Sequence, residues 1–414
     1  MNKIQIKEII LDQNKYKEEE NIISRDIFSE VEKDVKNPFI IIISGLRRSG
    51  KSTLLKQIMK KHEGYYVNFD DDRLVQFKLE DFQLLYETLI EIYGEKRNFY
   101  FDEIQNISGW ERFVRRLHDE KEKVFVTGSN ASMLSRELGT HLTGRHLNVT
   151  IFPFSFKEFL KLRGIEINNE SLFVTKEKSK IKRNFEKYLF EGGLPEYLKT
   201  ENKEYLKTLY ENILYRDIIV RYKLTNEKAI KELVNLAANS ISKEISFNFI
   251  KKLLGLGSST TVKEYFDYLE NAYLIFLVPK FNYSLKKQIY SNKKVYLIDN
   301  ALATQLGFRY SNDYGKLLEN LVFIELKRKG KEIFYYSDKH ECDFVIREKT
   351  KINQAIQVCY EFNEENKNRE INGLLEAMKE FKLNQGLILT YDQEDELEKK
   401  KIILKPVWKW LLEN

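Results

Sequence analysis

A glycine-rich segment near the start of the chain has the residue types and spacing of a phosphate-binding loop. GLRRSGKS, residues 45–52, fits the pattern G-x-x-x-x-G-K-[ST], and it lies between an apolar run and a helix-forming run. The glycines let backbone N–H groups converge on anionic oxygens at the positive end of the following helix. Lys51 is expected to bind the β- and γ-phosphates and Ser52 to bind Mg²⁺. The predicted nucleotide-binding set is Gly45, Arg48, Ser49, Gly50, Lys51, Ser52 and Thr53.

Two adjacent carboxylates follow a second apolar run. In NFYFDEIQ the run ends at Asp102 and Glu103. Asp102 is expected to hold the Mg²⁺ shell, and Glu103 to accept a proton from the attacking water. A solvated acidic turn is the alternative, and the phosphate-binding loop upstream disfavours it.

A third apolar run, VFVTGSN, ends in two small polar residues. Ser129 or Asn130 would lie beside the γ-phosphate, because ligands collect at the carboxyl ends of parallel strands. A helix cap at the same position is the alternative. Strands that alternate with helices at this spacing predict an α/β fold with a parallel sheet covered on both faces.

The loop, the strand-end acids and the third run together resemble the AAA+ ATPases. More narrowly, LTGRHLNVTIFPFSFKEFL, EGGLPEYL and LYRDIIVRYKL are similar to an archaeal and bacterial family in which an AAA+ core carries two further domains. The resemblance implies ATP and Mg²⁺ as cofactors, with Lys51, Ser52, Asp102 and Glu103 at the site. Arg145, in LTGRH, is the candidate for sensing γ-phosphate charge, either within its own chain or between chains of a homo-oligomer. A structural ion pair is the alternative for Arg145.

The middle of the chain has the pattern of a winged helix. Predicted helices at 228–240, 246–254 and 259–269 precede two β-rich runs around the basic loop 282–294. The third helix would enter a DNA major groove, while wing lysines meet phosphates. These lysines are Lys286, Lys287, Lys293 and Lys294.

The third predicted helix also carries acidic side chains, which affect the choice of partner. Its exposed face offers Lys263 beside Glu264, Asp267 and Glu270, and carboxylates repel a phosphate backbone. Winged helices also dock proteins, so DNA and a protein partner both stay open for this segment.

The last third of the chain resembles the PD-(D/E)xK nuclease fold in its order of elements. That fold clusters carboxylates around one or two divalent metals and adds a lysine. Glu319 and Asp343 fit the two acidic positions, but Gln357, Val358 and Cys359 stand where a carboxylate, any residue and lysine are expected.

The substituted motif weakens the case for cleavage. Strand alternation places Gln357 and Cys359 on one face, yet glutamine supplies no negative charge and cysteine no positive charge near neutral pH. Glu361 or Lys367 would have to substitute. A fold retained for DNA or protein binding is therefore favoured over an ATP-gated endonuclease. Cys342, next to Asp343, is expected to face the opposite way and not to pair with Cys359.

The composition limits the class of protein. The chain has 414 residues, 42% of them hydrophobic, and its 69 basic and 63 acidic side chains leave a net charge of +6. This length favours two to four domains, and the small charge only hints at an anionic partner. The N-terminus has no apolar core of signal-peptide length, and no later run approaches the length of a membrane span. Two cysteines are too few for a disulfide framework, so we expect a cytoplasmic protein.

These patterns combine into one prediction. An AAA+ ATPase core with a helical lid occupies residues 1–215, a winged helix 216–305 and a nuclease-like domain 306–414. The nucleotide state would control DNA binding by the two appended domains. A nucleotide-dependent switch that recruits a protein partner is the alternative.

Overall fold

The structure, a computed structural model, describes residues 1–15, 22–130, 144–168, 170–307, 313–397 and 401–413. The chain forms two compact units, Met1–Phe152 and Pro153–Asn414. The first unit thus ends well before residue 215, the predicted end of the ATPase core. In the described ranges, no helix is long and apolar enough to cross a membrane.

A five-stranded parallel sheet forms the centre of the first unit. Its strand order is β2-β3-β4-β1-β5, and every neighbouring pair is parallel. The strands are β1 (Ile40–Gly45), β2 (Tyr65–Asn68), β3 (Asn98–Asp102), β4 (Lys123–Gly128) and β5 (His146–Ile151). The carboxyl ends of the strands therefore share one edge, where the phosphate-binding loop begins.

Helices cover both faces of this sheet. They are α1 (Lys3–Lys15), α2 (Phe28–Asp34), α3 (Lys51–Lys61), α4 (Asp81–Tyr93) and α5 (Trp110–Asp119). Ile40 and Ile42 pack into one apolar cluster, whereas Ile41 and Ile43 pack into another. Because successive strand residues point to opposite faces, a sheet covered on both sides requires the unbroken apolar run that β1 has. The predicted α/β parallel sheet is confirmed.

The second unit begins with helices. They are α6 (Phe156–Leu162), α7 (Thr175–Glu191), α8 (Pro195–Thr200), α9 (Lys203–Asn212), a π-helical segment (Ile213–Val220) and α10 (Glu227–Asn239). The sequence EGGLPEYL makes the tight connection between α7 and α8. Gly192 there has a φ of +65°, and a Cβ on it would lie 2.0 Å from Oδ1 of Asp299, so this position requires glycine.

A small antiparallel sheet with helices follows. Its elements are β6 (Glu244–Ile245), α11 (Phe247–Leu253), α12 (Ser259–Asn271), β7 (Ile275–Pro279), α13 (Leu285–Tyr290) and β8 (Lys293–Leu297). The strand order is β6-β8-β7. The basic loop predicted between the two β-rich runs contains the helix α13. A short helix, α14 (Asn300–Leu306), comes next.

The chain ends in a six-stranded mixed sheet of order β13-β14-β12-β11-β10-β9. Its strands are β9 (Glu332–Ser337), β10 (Glu341–Glu348), β11 (Lys351–Val358), β12 (Gly386–Thr390), β13 (Asp395–Leu397) and β14 (Ile402–Pro406). The accompanying helices are α15 (Tyr314–Arg328), α16 (Lys367–Phe381) and α17 (Val407–Glu413). The later part of the chain is thus α/β with a mixed sheet.

Candidate nucleotide-binding site and acidic cluster

The glycine-rich loop connects β1 to α3 and holds Lys51 at its centre. Gly45 has a φ of +146°, and a Cβ on it would lie 2.2 Å from the carbonyl oxygen of Ile151. Gly50, with a φ of +99°, immediately precedes α3. The buried Lys51 ammonium donates to the carbonyl oxygens of Gly45, at 3.3 Å, and Leu46, at 3.2 Å. The loop has the glycine positions and the helix N-terminus that a phosphate-binding loop needs.

The buried side chain of Arg25 supports the loop from behind. Its Nη1 donates to the carbonyl oxygen of Ser49 at 2.7 Å, and its Nη2 donates to that of Phe152 at 2.6 Å. Arg25 therefore ties the loop to the chain just after β5. Arg25 was not predicted from the sequence, because it belongs to no motif and lies 20 residues before the loop.

The carboxylate of Asp102 is buried at the end of β3 and faces the loop. Its Oδ2 accepts a hydrogen bond from the hydroxyl of Tyr66 at 2.9 Å, and its Oδ1 accepts one from the hydroxyl of Thr127. The hydroxyl of Ser52 also donates to the carboxylate. Burial raises the pKa of Asp102, and the three hydroxyl donors oppose that rise. The structure thus brings together Ser52 and Asp102, the two predicted Mg²⁺ ligands.

Glu103 lies next to Lys51 in a backbone conformation that is rare for glutamate. Its φ is +51°, its Oε1 is 3.6 Å from Nζ of Lys51, and its Oε2 accepts from Nε2 of Gln105 at 2.5 Å. Burial alone would raise the pKa of Glu103, but the Lys51 charge and the Gln105 hydrogen bond outweigh it and lower the pKa. A left-handed non-glycine residue typically costs about 1–3 kcal/mol and is common at active sites.

Thr127, on β4, connects the two acids. Its hydroxyl donates to Oδ1 of Asp102 and accepts from the backbone N–H of Glu103 at 2.9 Å. Ser129 and Asn130 are buried just beyond the end of β4. Those two small polar residues were predicted from the sequence, whereas Thr127 was not, because a threonine inside an apolar strand gives no distinct signal.

The loop has an unsatisfied polar atom that suits an anionic ligand. The hydroxyl oxygen of Ser49 is buried and has no hydrogen-bond partner among the described residues. A ligand with acceptor oxygens would satisfy it. Of the remaining predicted loop residues, Thr53 is half-buried, whereas the Arg48 side chain is exposed and its φ is +65°. The residues present therefore fit a nucleotide with its metal ion.

Arg145 is the exception among the predicted residues of this site. Its carbonyl oxygen accepts from the N–H of Ile40, the first residue of β1, and its side chain lies 3.7 Å from Oδ1 of Asp119. The phosphate-binding loop follows the opposite end of β1, roughly 17 Å away along a strand of this length. A role for Arg145 at its own chain's γ-phosphate is incompatible with this position. Action on a neighbouring chain stays a prediction.

Two residues of the middle segment lie elsewhere than expected. Glu270 does not lie on the exposed face of α12, because its carboxylate accepts from the N–H of Leu277 at 2.9 Å and burial raises its pKa to about 7. Lys294 is not a wing lysine, since its side chain is only 2% exposed. Lys286 and Lys287 are exposed on α13.

Lys294 instead lies in an acidic cluster with three carboxylates. Its Nζ is 2.9 Å from Oδ1 of Asp343, 3.3 Å from Oε1 of Glu319 and 2.7 Å from Oε1 of Glu341. The hydroxyl of Tyr296 donates to Oε1 of Glu319 at 2.6 Å. Burial alone would lower the pKa of Lys294, but these carboxylates raise it well above its ordinary value.

The remaining predicted nuclease-like residues join the cluster only in part. Oε1 of Gln357 accepts from the N–H of Asp343 at 3.2 Å, and its Nε2 donates to Oε2 of Glu370 at 2.7 Å. Cys359 packs in the apolar core with Cys342, and burial raises its pKa to about 12. The sequence analysis missed Glu370, which lies on α16 outside the expected motif.

The two residues that might have replaced the missing motif do not enter the cluster. Glu361 is exposed, and Nζ of Lys367 pairs with Glu364 at 3.3 Å. Both cysteines are buried free thiols.

The fold and the loop define the first unit as a P-loop domain of the AAA class. Family profiles agree, since residues 37–160 match an AAA domain. Residues 182–312 and 314–410 match two domains of unknown function, DUF8612 and DUF4143.

Two relatives are similar to this protein over almost the whole chain. It is 39% identical to the uncharacterized protein MJ1544 of Methanocaldococcus jannaschii, over 99% of this chain and 96% of that protein. It is 31% identical to an uncharacterized protein of Haemophilus influenzae, over 91% of this chain and 94% of that protein. The chain belongs to the family that these proteins represent.

Solved structures resemble the chain only remotely. The Thermotoga maritima RuvB Holliday junction branch migration motor is 13% identical, with a TM-score of 0.25 over 66% of this chain and 93% of that chain. The Drosophila ORC bound to AT-rich DNA and Cdc6 is 11% identical, with a TM-score of 0.22 over 72% of this chain and 92% of that chain. TM-scores this low carry no information about how the chain functions.

Proposed function

We propose that the first unit binds ATP with Mg²⁺ and hydrolyses it. The observation that carries this proposal is the proximity of two segments far apart in sequence. One is the loop and helix start that follow β1, and the other is the carboxyl end of β3. Ser52 hydrogen-bonds to Asp102, and Lys51 lies 3.6 Å from Glu103. Phosphoryl transfer to water requires four groups: a phosphate-binding lysine, a metal-binding hydroxyl, a metal-binding carboxylate and a base.

Each group has a distinct task. The N–H groups at the start of α3 and Lys51 bind the phosphates, and Ser52 and Asp102 would hold the metal ion. When bound, Mg²⁺ neutralises charge on the phosphate oxygens. Glu103 accepts the proton of the attacking water. Phosphates would compete with Glu103 for Lys51, which frees the carboxylate to face the water.

Steady-state release of phosphate from ATP tests this proposal. We expect Lys51→Ala to lose nucleotide affinity and turnover, and Glu103→Gln to lose turnover while it keeps affinity. Lys61→Ala is the matched control, because Lys61 is exposed at the far end of α3 and pairs with Glu32. Unchanged ATP turnover in both variants would contradict the roles assigned to Lys51 and Glu103.

We also propose that the middle segment is a winged helix that binds DNA, and that the last segment is a nuclease-like domain. Three helices and a three-stranded sheet of order β6-β8-β7 support the first assignment. The hydrogen bond from the Leu277 N–H engages the Glu270 carboxylate, so one fewer acid on α12 opposes a phosphate backbone, while Glu264 and Asp267 remain exposed. Nucleotide state would then control how the chain holds DNA.

Recruitment of a protein partner is the second candidate function. The helix α13 supports it, because Leu285, Ile289 and Tyr290 are 68%, 54% and 80% exposed. Titration of duplex DNA at several salt concentrations separates the two functions, since DNA affinity falls steeply as salt rises. No binding at low salt would favour the protein partner. Mass measurement with a non-hydrolysable ATP analogue tests whether chains assemble and bring Arg145 to a neighbour's site.

A further inference from the structure

The Lys294 ammonium lies among carboxylates of the last sheet and its helix. An ammonium group has three N–H donors and no acceptor. Three carboxylate oxygens, from Glu319, Glu341 and Asp343, lie within 2.7–3.3 Å of its nitrogen. The lysine comes from β8 of the small sheet, whereas its partners come from α15 and β10.

We propose that Lys294 is the resident cation of this acidic cluster, and that its ammonium stands where a PD-(D/E)xK nuclease would bind a divalent metal ion. The cluster is thereby neutralised from within the chain. It follows that the last domain works without metal, as a binding or structural module rather than as a metal-dependent nuclease.

The other polar atoms of the cluster also have hydrogen-bond partners within the chain. Oδ2 of Asp343 accepts from the N–H of Val358 at 2.9 Å, and both ends of the Gln357 amide are hydrogen-bonded. Arg369 donates to Oε1 of Glu370. Within the part of the chain that the structure describes, no group of three or more His, Cys, Asp or Glu side chains is arranged to hold a metal ion.

The arrangement also binds β8 to the last sheet. Removal of one partner from a buried ion cluster leaves an uncompensated buried charge, which is strongly destabilising. Loss of the ammonium would leave the Glu319 and Asp343 carboxylates to repel each other, and a divalent cation would then compensate them. The proposal therefore predicts that loss of Lys294 creates a metal site.

Binding of Mn²⁺ to the nucleotide-free full-length chain, followed by electron paramagnetic resonance, tests the proposal. We expect wild type and Asp343→Asn to give the same Mn²⁺ isotherm. Lys294→Ala should bind one additional Mn²⁺, which Lys294→Ala/Asp343→Asn loses. Lys293→Ala is the matched control, since the neighbouring lysine donates to the carbonyl oxygen of Gln288 instead, and it should match wild type.

Two results would overturn the proposal. One is Mn²⁺ bound by wild type and lost in Asp343→Asn, which would place a metal ion in the native cluster. The other is a folded Lys294→Ala that gains no Mn²⁺. The comparison of wild type with Asp343→Asn needs no lysine variant. It therefore tests whether a metal ion binds the native cluster even where Lys294→Ala fails to fold.

Unfolding by denaturant provides an independent measurement. Asp343→Asn should lower the midpoint in the wild-type background, because it removes a partner of the ammonium. The same substitution should raise the midpoint in Lys294→Met, because it removes an unpaired buried charge. A lower midpoint in both backgrounds would show that Lys294 does not compensate Asp343.

Discussion

Replacement of Thr127 by valine removes one hydroxyl without a change of shape. That hydroxyl accepts from the N–H of Glu103 at 2.9 Å and donates to the buried carboxylate of Asp102. Each buried group left without its partner costs about 1–3 kcal/mol, so the loss of both hydrogen bonds in Thr127→Val should lower the free energy of unfolding by about 2–6 kcal/mol. Thr127→Ser, which keeps the hydroxyl, is the matched control.

The same substitution should reduce turnover more than affinity. The hydrogen bond to the Thr127 hydroxyl helps to hold Glu103 in its left-handed conformation. A general base typically accelerates a reaction by about 10²–10⁴-fold, and a base that is out of position loses part of that acceleration. We expect kcat for ATP to fall by about 10–100-fold in Thr127→Val, with little change in KM.

Steady-state ATPase assays and urea unfolding of wild type, Thr127→Val and Thr127→Ser provide the comparison. Thr127→Ser should keep most of the turnover and most of the stability. A folded Thr127→Val with wild-type kcat would refute the argument that this hydroxyl positions Glu103. A larger loss in Thr127→Ser than in Thr127→Val would point to the missing methyl group instead.

Three further predictions follow from packing, charge and titration. Gly45→Ala should destabilise the first unit by about 2–5 kcal/mol and abolish ATP binding, because its Cβ would lie 2.2 Å from the carbonyl oxygen of Ile151. Gly94→Ala, which also has a positive φ but opens onto free space, should cost less, about 1–3 kcal/mol, and should keep ATP binding; loss of ATP binding in both variants would contradict this. Burial raises the pKa of Asp299 to about 7, against an ordinary value of 3.8, and N–H donors from Gly193 and Ala301 only partly oppose it. The folded chain therefore holds the Asp299 proton more tightly than the unfolded chain. This stabilises the fold at pH below about 4, and the stabilisation, at most about 4 kcal/mol, is lost as pH rises through about 7. Asp299→Asn should show a smaller drop in urea midpoint between pH 5 and pH 8 than wild type, and an identical drop would exclude Asp299 as its source. Lys286→Ala/Lys287→Ala should weaken duplex DNA binding uniformly across sequences and reduce the slope of log affinity against log salt by about 2, whereas an unchanged slope would mean that α13 does not meet phosphates.

Local patterns predicted the first unit well, for a physical reason. A sheet covered on both faces needs unbroken apolar strands, so β1, β3 and β4 are visible in the sequence by themselves. The phosphate-binding loop is equally local, because its glycines and lysine lie within eight residues. The edge strand β5 was missed, since HLNVTI alternates polar and apolar residues and all but Ile151 remain partly exposed.

Residues that depend on distant partners could not be predicted in the same way. Lys294 stands in a basic stretch and looked like a solvated wing lysine, yet the carboxylates that justify its burial lie 25 and 49 residues further along the chain. The position of Arg145 also depends on distant residues. Its motif suggested a sensor, but the pairing of β5 with β1 places it at the amino end of the sheet.

Single-turnover hydrolysis of ATP by wild type and Glu103→Gln tests the central claim most directly. Both proteins should bind ATP with similar affinity, because Lys51 and the loop remain intact. Conversion of bound ATP to ADP should be at least about 100-fold slower in Glu103→Gln, since the glutamine accepts no proton from water. Equal conversion rates at equal occupancy would contradict the assignment of Glu103 as the base and of the first unit as an ATPase built on these residues.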